Sequence, residues 1–471
     1  MPNTVTVTAT TTPASGVALE YQHPNTQQWQ DSPVLTGVST AAYAAGVFKV
    51  RLKNTPAFVK AWQQEVVVLD PRFTLGYYQG PLPKTYPPLP RRPKPTSWET
   101  GTQVISPSAS GQTLVIENRN FHNNNAGQPA LKVHANGLSN CTVIVRNCNF
   151  TGFAPSCLLE FWGLNASCTL DVYNCGFYGY QTPSGQAGYP GKGIDLLSSV
   201  AATTTLRNNY FENILGILVD RYGSQTNLLT IQGNYLHNVQ KLDQNGNTDQ
   251  YGNGIQLLQC FEVTADVRFN YIKNEPGQCS QQDGINLHGT SGRPTRRLRV
   301  QGNMQHGLYI HPSTSNSTGS SITTDNDLQS DAVGSKDPHY VDVIENYSAG
   351  ATFGGFNLAG GYENRMERNV NVSTGRKPDG TANGSHSQGL SLYNYLNRPA
   401  AYYRDNVVKD NLLGVFATNG TSRNDFGQDA PGAQQLLFPS AFITQANQDR
   451  LYHFWRKDAE DAGVAVGLVS V

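Results

Sequence analysis

Gly284-Ile285-Asn286-Leu287-His288 decides the fold. It is one copy of an apolar–polar–apolar phrase that recurs about ten times between residues 130 and 420. The earlier copies are Leu131-Lys132-Val133-His134, Leu158-Leu159-Glu160-Phe161-Trp162, Ile194-Asp195-Leu196-Leu197, Ile217-Leu218-Val219-Asp220 and Ile255-Gln256-Leu257-Leu258. The later ones are Leu308-Tyr309-Ile310-His311, Phe356-Asn357-Leu358-Ala359, Leu390-Ser391-Leu392-Tyr393 and Val415-Phe416-Ala417-Thr418, and a Gly precedes most copies. Alternation at period two makes each a strand whose first and third residues face inward.

A second phrase, apolar-x-x-Asn-aromatic, interleaves with the first. It runs through Leu206…Asn209-Tyr210, Ile231…Asn234-Tyr235, Val267…Asn270-Tyr271 and Val300…Asn303-Met304, then Ile344…Asn346-Tyr347, Met366…Asn369-Val370 and Arg404…Asn406-Val407. Cys148 and Cys175 fill the Asn position in two earlier copies, and the spacings from Cys148 onward are 27, 34, 25, 36, 33, 43, 23 and 37. Two strand phrases per unit at an irregular period indicate a solenoid of coils with variable loops. A propeller needs four strands per blade, and leucine-rich repeats need a helical half that is absent. The expected fold is therefore all-β: a right-handed parallel β-helix of about ten coils, preceded by a small β-sandwich module. With coils stacked about 4.8 Å apart, Asn209 to Asn406 would form an internal ladder at a turn that tolerates left-handed backbone.

Composition limits the function classes. Only 14% of the 471 residues are charged and the net charge is zero, so no basic stripe points to nucleic acid. The 46 glycines suit a turn-rich all-β chain. No apolar run approaches the roughly 18 residues of a membrane span. Residues 1–7 lack the basic and apolar regions of a secretory leader; with an extracellular or cell-surface location expected, either the mature chain begins here or export uses another route, and a phage or intracellular origin stays open. The seven Cys are an odd count, and Cys141 to Cys168 repeats the 27-residue step of Cys148 to Cys175, which predicts stacked interior thiols.

Four segments follow in order: a β-sandwich module at 1–75, a linker at 76–97, the β-helix at 98–430 and a cap at 431–471. Seven prolines between Pro81 and Pro95 make the linker stiff and extended, a spacer packed on the solenoid surface. Excursions at 178–191, 241–252, 312–338 and 374–388 are rich in Gly, Ser, Asn and Asp and belong at the surface, where neighbouring loops can wall a groove. Ser440–Trp455 reads as a helix with Phe442, Ala446, Leu451, Phe454 and Trp455 on its buried side, closing the open end, and 464–471 reads as a final strand.

Two resemblances rest on these residues. Residues 18–56 loosely resemble the short sandwich modules of surface and gliding proteins in the Bacteroidetes group, which implies a surface-exposed accessory module, sugar-binding or a spacer. The repeated Gly-Ile-x-Leu and Asn-Tyr phrases over 98–430 resemble the right-handed parallel β-helix superfamily of pectate-lyase-like proteins, bacterial surface members in particular. That superfamily includes polysaccharide lyases, polygalacturonases, phage tailspikes and non-catalytic adhesins, so the resemblance implies the fold and leaves the reaction open. The polygalacturonase pattern fails: Gln282-Asp283-Gly284 and His306-Gly307 echo two of its motifs, but no Asp-Asp pair lies between them and Arg297-Leu298-Arg299 precedes the His.

Candidate site residues come from the outward ladders. Glu160 and Asp195 fall on adjacent coils, a carboxylate pair near the spacing of a retaining glycosidase that would also suit a Ca2+ ion. His288, Tyr309 and His311, with Asp220 two coils before His288, make the densest His/Tyr convergence in the chain and a candidate proton-transfer site. Asn286, Lys192, Arg221 and Arg293 could bind substrate, the cations by neutralising a carboxylate. Trp162, Tyr393 and Tyr395 could stack on sugar rings. The expected function is binding or degradation of a polysaccharide, by lyase or glycosidase chemistry, in a groove on the solenoid face. The alternatives are a non-catalytic adhesive protein or filament subunit and a trimeric phage-type depolymerase spike.

Overall fold

The computed structural model describes residues 71–123, 128–152, 154–179, 190–240, 252–279, 281–309, 319–326, 336–384, 386–395 and 397–469, with short strand segments between residues 4 and 68. The chain divides into two units, Met1–Pro81 and Leu82–Val471. In the first, the described strands pair antiparallel: Leu19–Gln22 lies between Trp29–Gln30 and Lys49–Leu52, Thr4–Thr6 pairs with Val34–Thr36, and Ala41–Tyr43 pairs with Val66–Val68.

The second unit is a parallel β-helix. Its described strands form three parallel sheets, two of ten strands and one of twelve. Sheet A holds the first sequence phrase, for example Asp283–His288. Sheets B and C, for example Leu228–Gln232 and Tyr235–His237, share the second. Each coil thus has three strands rather than two. The phrase apolar-x-x-Asn-aromatic hides a two-residue corner: a residue at positive φ, then the ladder residue, then sheet C.

Asn147, Asn174, Asn208, Gly233, Phe269, Gly302, Glu345, Arg368 and Asp410 take the positive φ, between 52° and 66°. Each ladder amide then bonds both neighbouring coils. Asn303 Oδ1 accepts from the backbone N and Nδ2 of Asn270 at 3.0 and 2.9 Å, while its own Nδ2 donates to Val267 O at 2.9 Å and to Asn346 Oδ1 at 3.0 Å. The ladder ends on Asn411 and Gln435, not on Asn406. Asn406 precedes its sheet B strand and joins Asn364 in a separate short ladder, Asn364 N donating to Asn406 Oδ1 at 3.0 Å.

The interior explains the Gly before most sheet A phrases. Sheet C sends one side chain per coil inward, and the rings of Phe121, Phe150, Phe177 and Phe211 stack at 5.2, 4.9 and 4.7 Å. A Cβ on Gly193 would stand 2.5 Å from Phe211, on Gly254 2.8 Å from Ile272 and on Gly284 2.8 Å from Gln305. The inward side chain of sheet C occupies the room that a sheet A side chain would need. All seven cysteines are buried, free thiols.

The aromatic of the Asn-aromatic phrase faces the other way. Tyr210, Tyr235, Tyr271 and, past Met304, Tyr347 form one outward column on sheet C, with Tyr178 in the column two residues along beside Glu212, yet all five tyrosines are buried. The proline-rich segment covers one part: Tyr178 OH donates to Pro93 O at 3.2 Å, Arg92 Nη1 to Asn174 O at 2.6 Å, and Arg91 pairs with Glu275 at 3.1 Å. The helix Gln445–Asp461 covers another, with Trp455 stacked on Tyr271 at 5.0 Å and Tyr347 OH bonded to Asp458. This helix lies along the side of the solenoid rather than over its end. Ala446 is exposed, and Gln448, Tyr452 and Asp458 join the buried face. Residues 464–469 form no strand; they run as an irregular strap whose Ala465 O accepts from Asn208 Nδ2 at 2.8 Å.

Candidate functional site

The outward face of sheet A carries the candidate site. Strand register sets the first column as Lys132, Glu160, Asp195, Leu218, Gln256, Asn286, Thr323, Asn357 and Ser391. The second holds the neighbours His134 and Trp162, and further along Asp220, Leu258, His288 and Asp325. The sequence places Tyr309 and His311 where Thr323 and Asp325 stand. Leu308-Tyr309 mimics the phrase, but it follows the sheet C strand Met304–His306 through Gly307 at φ 75°, and Tyr309 is buried with its carbonyl accepting from Cys279 Sγ at 3.0 Å. The true strand is Ser320–Asp325, inside a stretch that reads as an excursion. His311 lies outside the described residues.

Around His288 the register gathers a polar centre. Asp283, fully enclosed at the start of its strand, accepts from Thr323 Oγ1 at 2.7 Å and from Asn286 Nδ2 at 3.0 Å. The same Asn286 nitrogen lies 3.5 Å from both carboxylate oxygens of Asp325, and Gln256 Nε2 fixes the Asn286 carbonyl at 3.2 Å. His288 Nδ1 meets Asp325 Oδ1 at 3.0 Å. Burial, and then the charge of Asp325, push the Asp283 carboxyl up to about 7, against the donors that favour its charged form. Tyr393 follows the next-but-one strand of the sheet; burial and then the Asp325 and Asp283 charges push its phenol up to about 12.

A corner clamp sets this column. Arg221, Gln259 and Gly289 each take positive φ directly after Asp220, Leu258 and His288. The next residues form a second side-chain ladder: Tyr222 N donates to Cys260 Sγ at 3.4 Å, and Cys260 N to Thr290 Oγ1 at 3.2 Å. Thr290 Oγ1 returns a bond to Leu257 O at 2.9 Å. The chain therefore leaves the sheet at a fixed point just past His288.

The other predicted residues separate into smaller groups. Asp220 is two coils from His288 with Leu258 between them, and both its oxygens are held by Arg221 at 2.9 and 2.8 Å. Arg293 lies beyond the corner, donating to Glu262 O at 3.1 Å, and does not join the face. Glu160 and Asp195 are register neighbours as expected. Glu160 is bonded by His134 Nε2 at 2.7 Å, and Asp195 lies 3.6 Å from Lys192 Nζ. Burial is the main cause that raises Asp195 to about 6. Among the described residues no group of three or more His, Cys, Asp or Glu is gathered to hold a metal ion. Trp162 is 42% exposed and stands edge-on to His134 with ring centroids 5.4 Å apart.

Asp283 and Asp325 are the residues that sequence reasoning missed. Asp283 had a signal, as the residue before the Gly of the quoted phrase; Asp325 had none, because its strand reads Ser-Ser-Ile-Thr-Thr-Asp without the apolar alternation. Among the described residues no helix is long and apolar enough to cross a membrane. No family model matches the chain, and no curated protein matches it. Among solved structures, it is similar to a mutant tailspike protein of E. coli bacteriophage HK620 in complex with a pentasaccharide, at 12% identity and a TM-score of 0.23. The match covers 72% of this chain and 59% of that one, so the chain spans about three fifths of the tailspike's length, and the parallel β-helix rests on the strand register of the chain itself.

Proposed function

We propose that this chain binds a polysaccharide on the outward face of sheet A and hydrolyses a glycosidic bond between Asp283 and Asp325, outside the cell or at its surface. One observation carries the reading: two carboxyl groups share the Asn286 amide, and one of them is pushed up to about 7. Paired carboxyls whose environments drive their acidities apart divide the work of acid and base. Asp283 holds a proton near neutral pH and gives it to the leaving oxygen. Asp325, the less buried of the two and oriented by His288, bonds to the sugar carbon as the bond to the leaving oxygen breaks, and water, giving its proton to the Asp283 carboxylate, then cleaves that ester and frees Asp325. Both carboxyls within 3.5 Å of one nitrogen favour the retaining geometry, with carboxyl groups about 5 Å apart.

The lyase reading is less well supported. A uronate lyase needs a cation against the sugar carboxylate, and the hydrogen-bond partners of the pair among the described residues are Thr323, Ser320, Asn286 and His288, with no Arg or Lys. The face thus suits a neutral saccharide. The test is release of reducing ends from neutral and acidic polysaccharides by the full chain and its Asp283→Asn and Asp325→Asn variants. Cleavage of a neutral polymer, lost in both variants with folding intact, is the expected result. Undiminished cleavage in both variants, or binding without cleavage by the parent protein, overturns it, the latter in favour of an adhesive protein.

A further inference from the structure

A buried ion pair lies just behind the proposed site, and the chemistry above makes no use of it. Arg398 Nε lies 3.2 Å from Asp337 Oδ2, with side chains only 10% and 3% exposed. Asp337 Oδ1 also accepts from Asn326 Nδ2 at 3.0 Å, and Asn326 follows Asp325 directly in the chain. On the other side, Arg398 closes a loop back to Asn394: its N donates to Asn394 Oδ1 at 2.7 Å and its O accepts from Asn394 Nδ2 at 2.8 Å. Between these anchors stands Tyr395, 54% exposed, its ring edge-on to Tyr393 at 6.2 Å. Tyr393 in turn feels the charges of Asp325 and Asp283.

Burying two charges costs more than an exposed pair returns, and a well-packed apolar pair of the same size often does as well for stability. What such a pair does supply is a single geometry. This pair ties Arg398, five residues past Tyr393, to Asp337, which in turn holds Asn326 beside Asp325. An exposed tyrosine on a loop cross-linked in this way is a rigid, amphipathic plane that loses little entropy on binding.

We infer that the Asp337–Arg398 pair is a positioning device that holds Tyr395 beside the Asp283–Asp325 site as the seat for a sugar ring of the bound chain. This rests on the glycosidase reading above. Arg398 and Asp337 touch no substrate; they act through Tyr395.

The experiment is a mutant cycle on the full chain. Tyr395→Ala removes the seat. Asp337→Asn with Arg398→Met removes both charges together and keeps the volume, which spares folding. Each change is expected to raise KM about tenfold with kcat within about twofold, the pattern of lost binding rather than lost chemistry. Combined, they are expected to raise KM no further than Tyr395→Ala alone, because the pair has nothing left to position. Arg398→Lys, which keeps the charge and loses the fork, should fall between. Effects that multiply, or a fall in kcat with KM unchanged, overturn the inference while Asp325→Asn still reports on the chemistry. If the parent protein cleaves nothing, the same cycle is read as retention in gels cast with a neutral polysaccharide. Absence of retention by the parent protein overturns both readings.

Discussion

Asn209 Oδ1 accepts the backbone N–H of Cys175 at 3.0 Å, and the two side chains do the same work one coil apart. Asn209 Nδ2 donates to Val172 O at 3.0 Å; the Cys175 thiol points at the matching carbonyl, Val145 O, at 3.7 Å. Cys148 repeats the pattern toward Ile116 O. The thiols are the early rungs of the amide ladder, with the donor kept and the acceptor weakened. Sulfur is a poor acceptor, so this end of the ladder is its softer part.

Replacing Cys175 by Asn should therefore stabilise the protein, by about 1 kcal/mol, since the new Oδ1 can accept the Cys148 N–H as Asn209 does for Cys175. Asn303→Ala should do the opposite, by on the order of 3 kcal/mol, because it strands the backbone N–H of Asn270 and one hydrogen of its Nδ2 and takes a donor from Val267 O in a dry interior. Urea unfolding of both variants checks the pair. An unchanged midpoint for Asn303→Ala would remove the ladder from any role in stability.

The Asp283 carboxyl gives the stability a pH signature. Its folded pKa, about 7, lies above the value of roughly 3.9 expected in an unfolded chain, so the folded protein binds this proton more tightly. Its contribution is fully present below about pH 4 and is lost as pH rises through about 7. Asp283→Asn should then be more stable than the parent above pH 7, by up to about 4 kcal/mol in urea unfolding, and equally stable near pH 4. A gain independent of pH would mean that the carboxyl is not held protonated. The variant should trade this stability for lost cleavage, as residues strained for function do.

Retention of configuration is the outcome expected of the proposed cleavage, from the close pairing of Asp283 and Asp325 through Asn286. Proton NMR of the first sugar anomer released from a neutral oligosaccharide reports it directly. Asp325→Asn should lower kcat by at least about 100-fold with little change in binding. Initial release of the inverted anomer would require a water between the carboxyls and would exclude Asp325 as the nucleophile.

Much of this architecture was legible in the sequence wherever one residue type had one physical job. The Gly-Ile-x-Leu and Asn-aromatic phrases repeat because a Cβ at Gly284 would collide with Gln305, and because each amide must reach the coil beside it. Eight of nine outward positions in the first sheet A column read correctly from the phrase alone. The failure fell on the strand Ser320–Asp325, whose polar β-branched residues carry no apolar alternation, and there the site was misread: Tyr309 replaced Thr323, and Asp325 went unseen. The side cover of sheet C was hidden for a different reason. Tyrosines that face outward give no local sign that a proline-rich segment and a helix more than a hundred residues away will bury them.

Trp455 is fully buried, stacks on Tyr271 at 5.0 Å and donates from Nε1 to Gly302 O at 2.6 Å. Gly302 is the positive-φ residue of the corner that presents Asn303 to the ladder. Trp455→Ala thus opens a cavity over the tyrosine column and strands the corner carbonyl at once. It should cost about 3–5 kcal/mol, against less than about 0.5 kcal/mol for an exposed change such as Ala446→Ser on the same helix. Hydrogen exchange should show the loss at the corners around Gly302 and Asn303 and at Tyr271, while sheet A, on another face of the coil, keeps its protection. Equal loss over all three sheets would mean that the helix stabilises the solenoid as a whole rather than sealing one face of it.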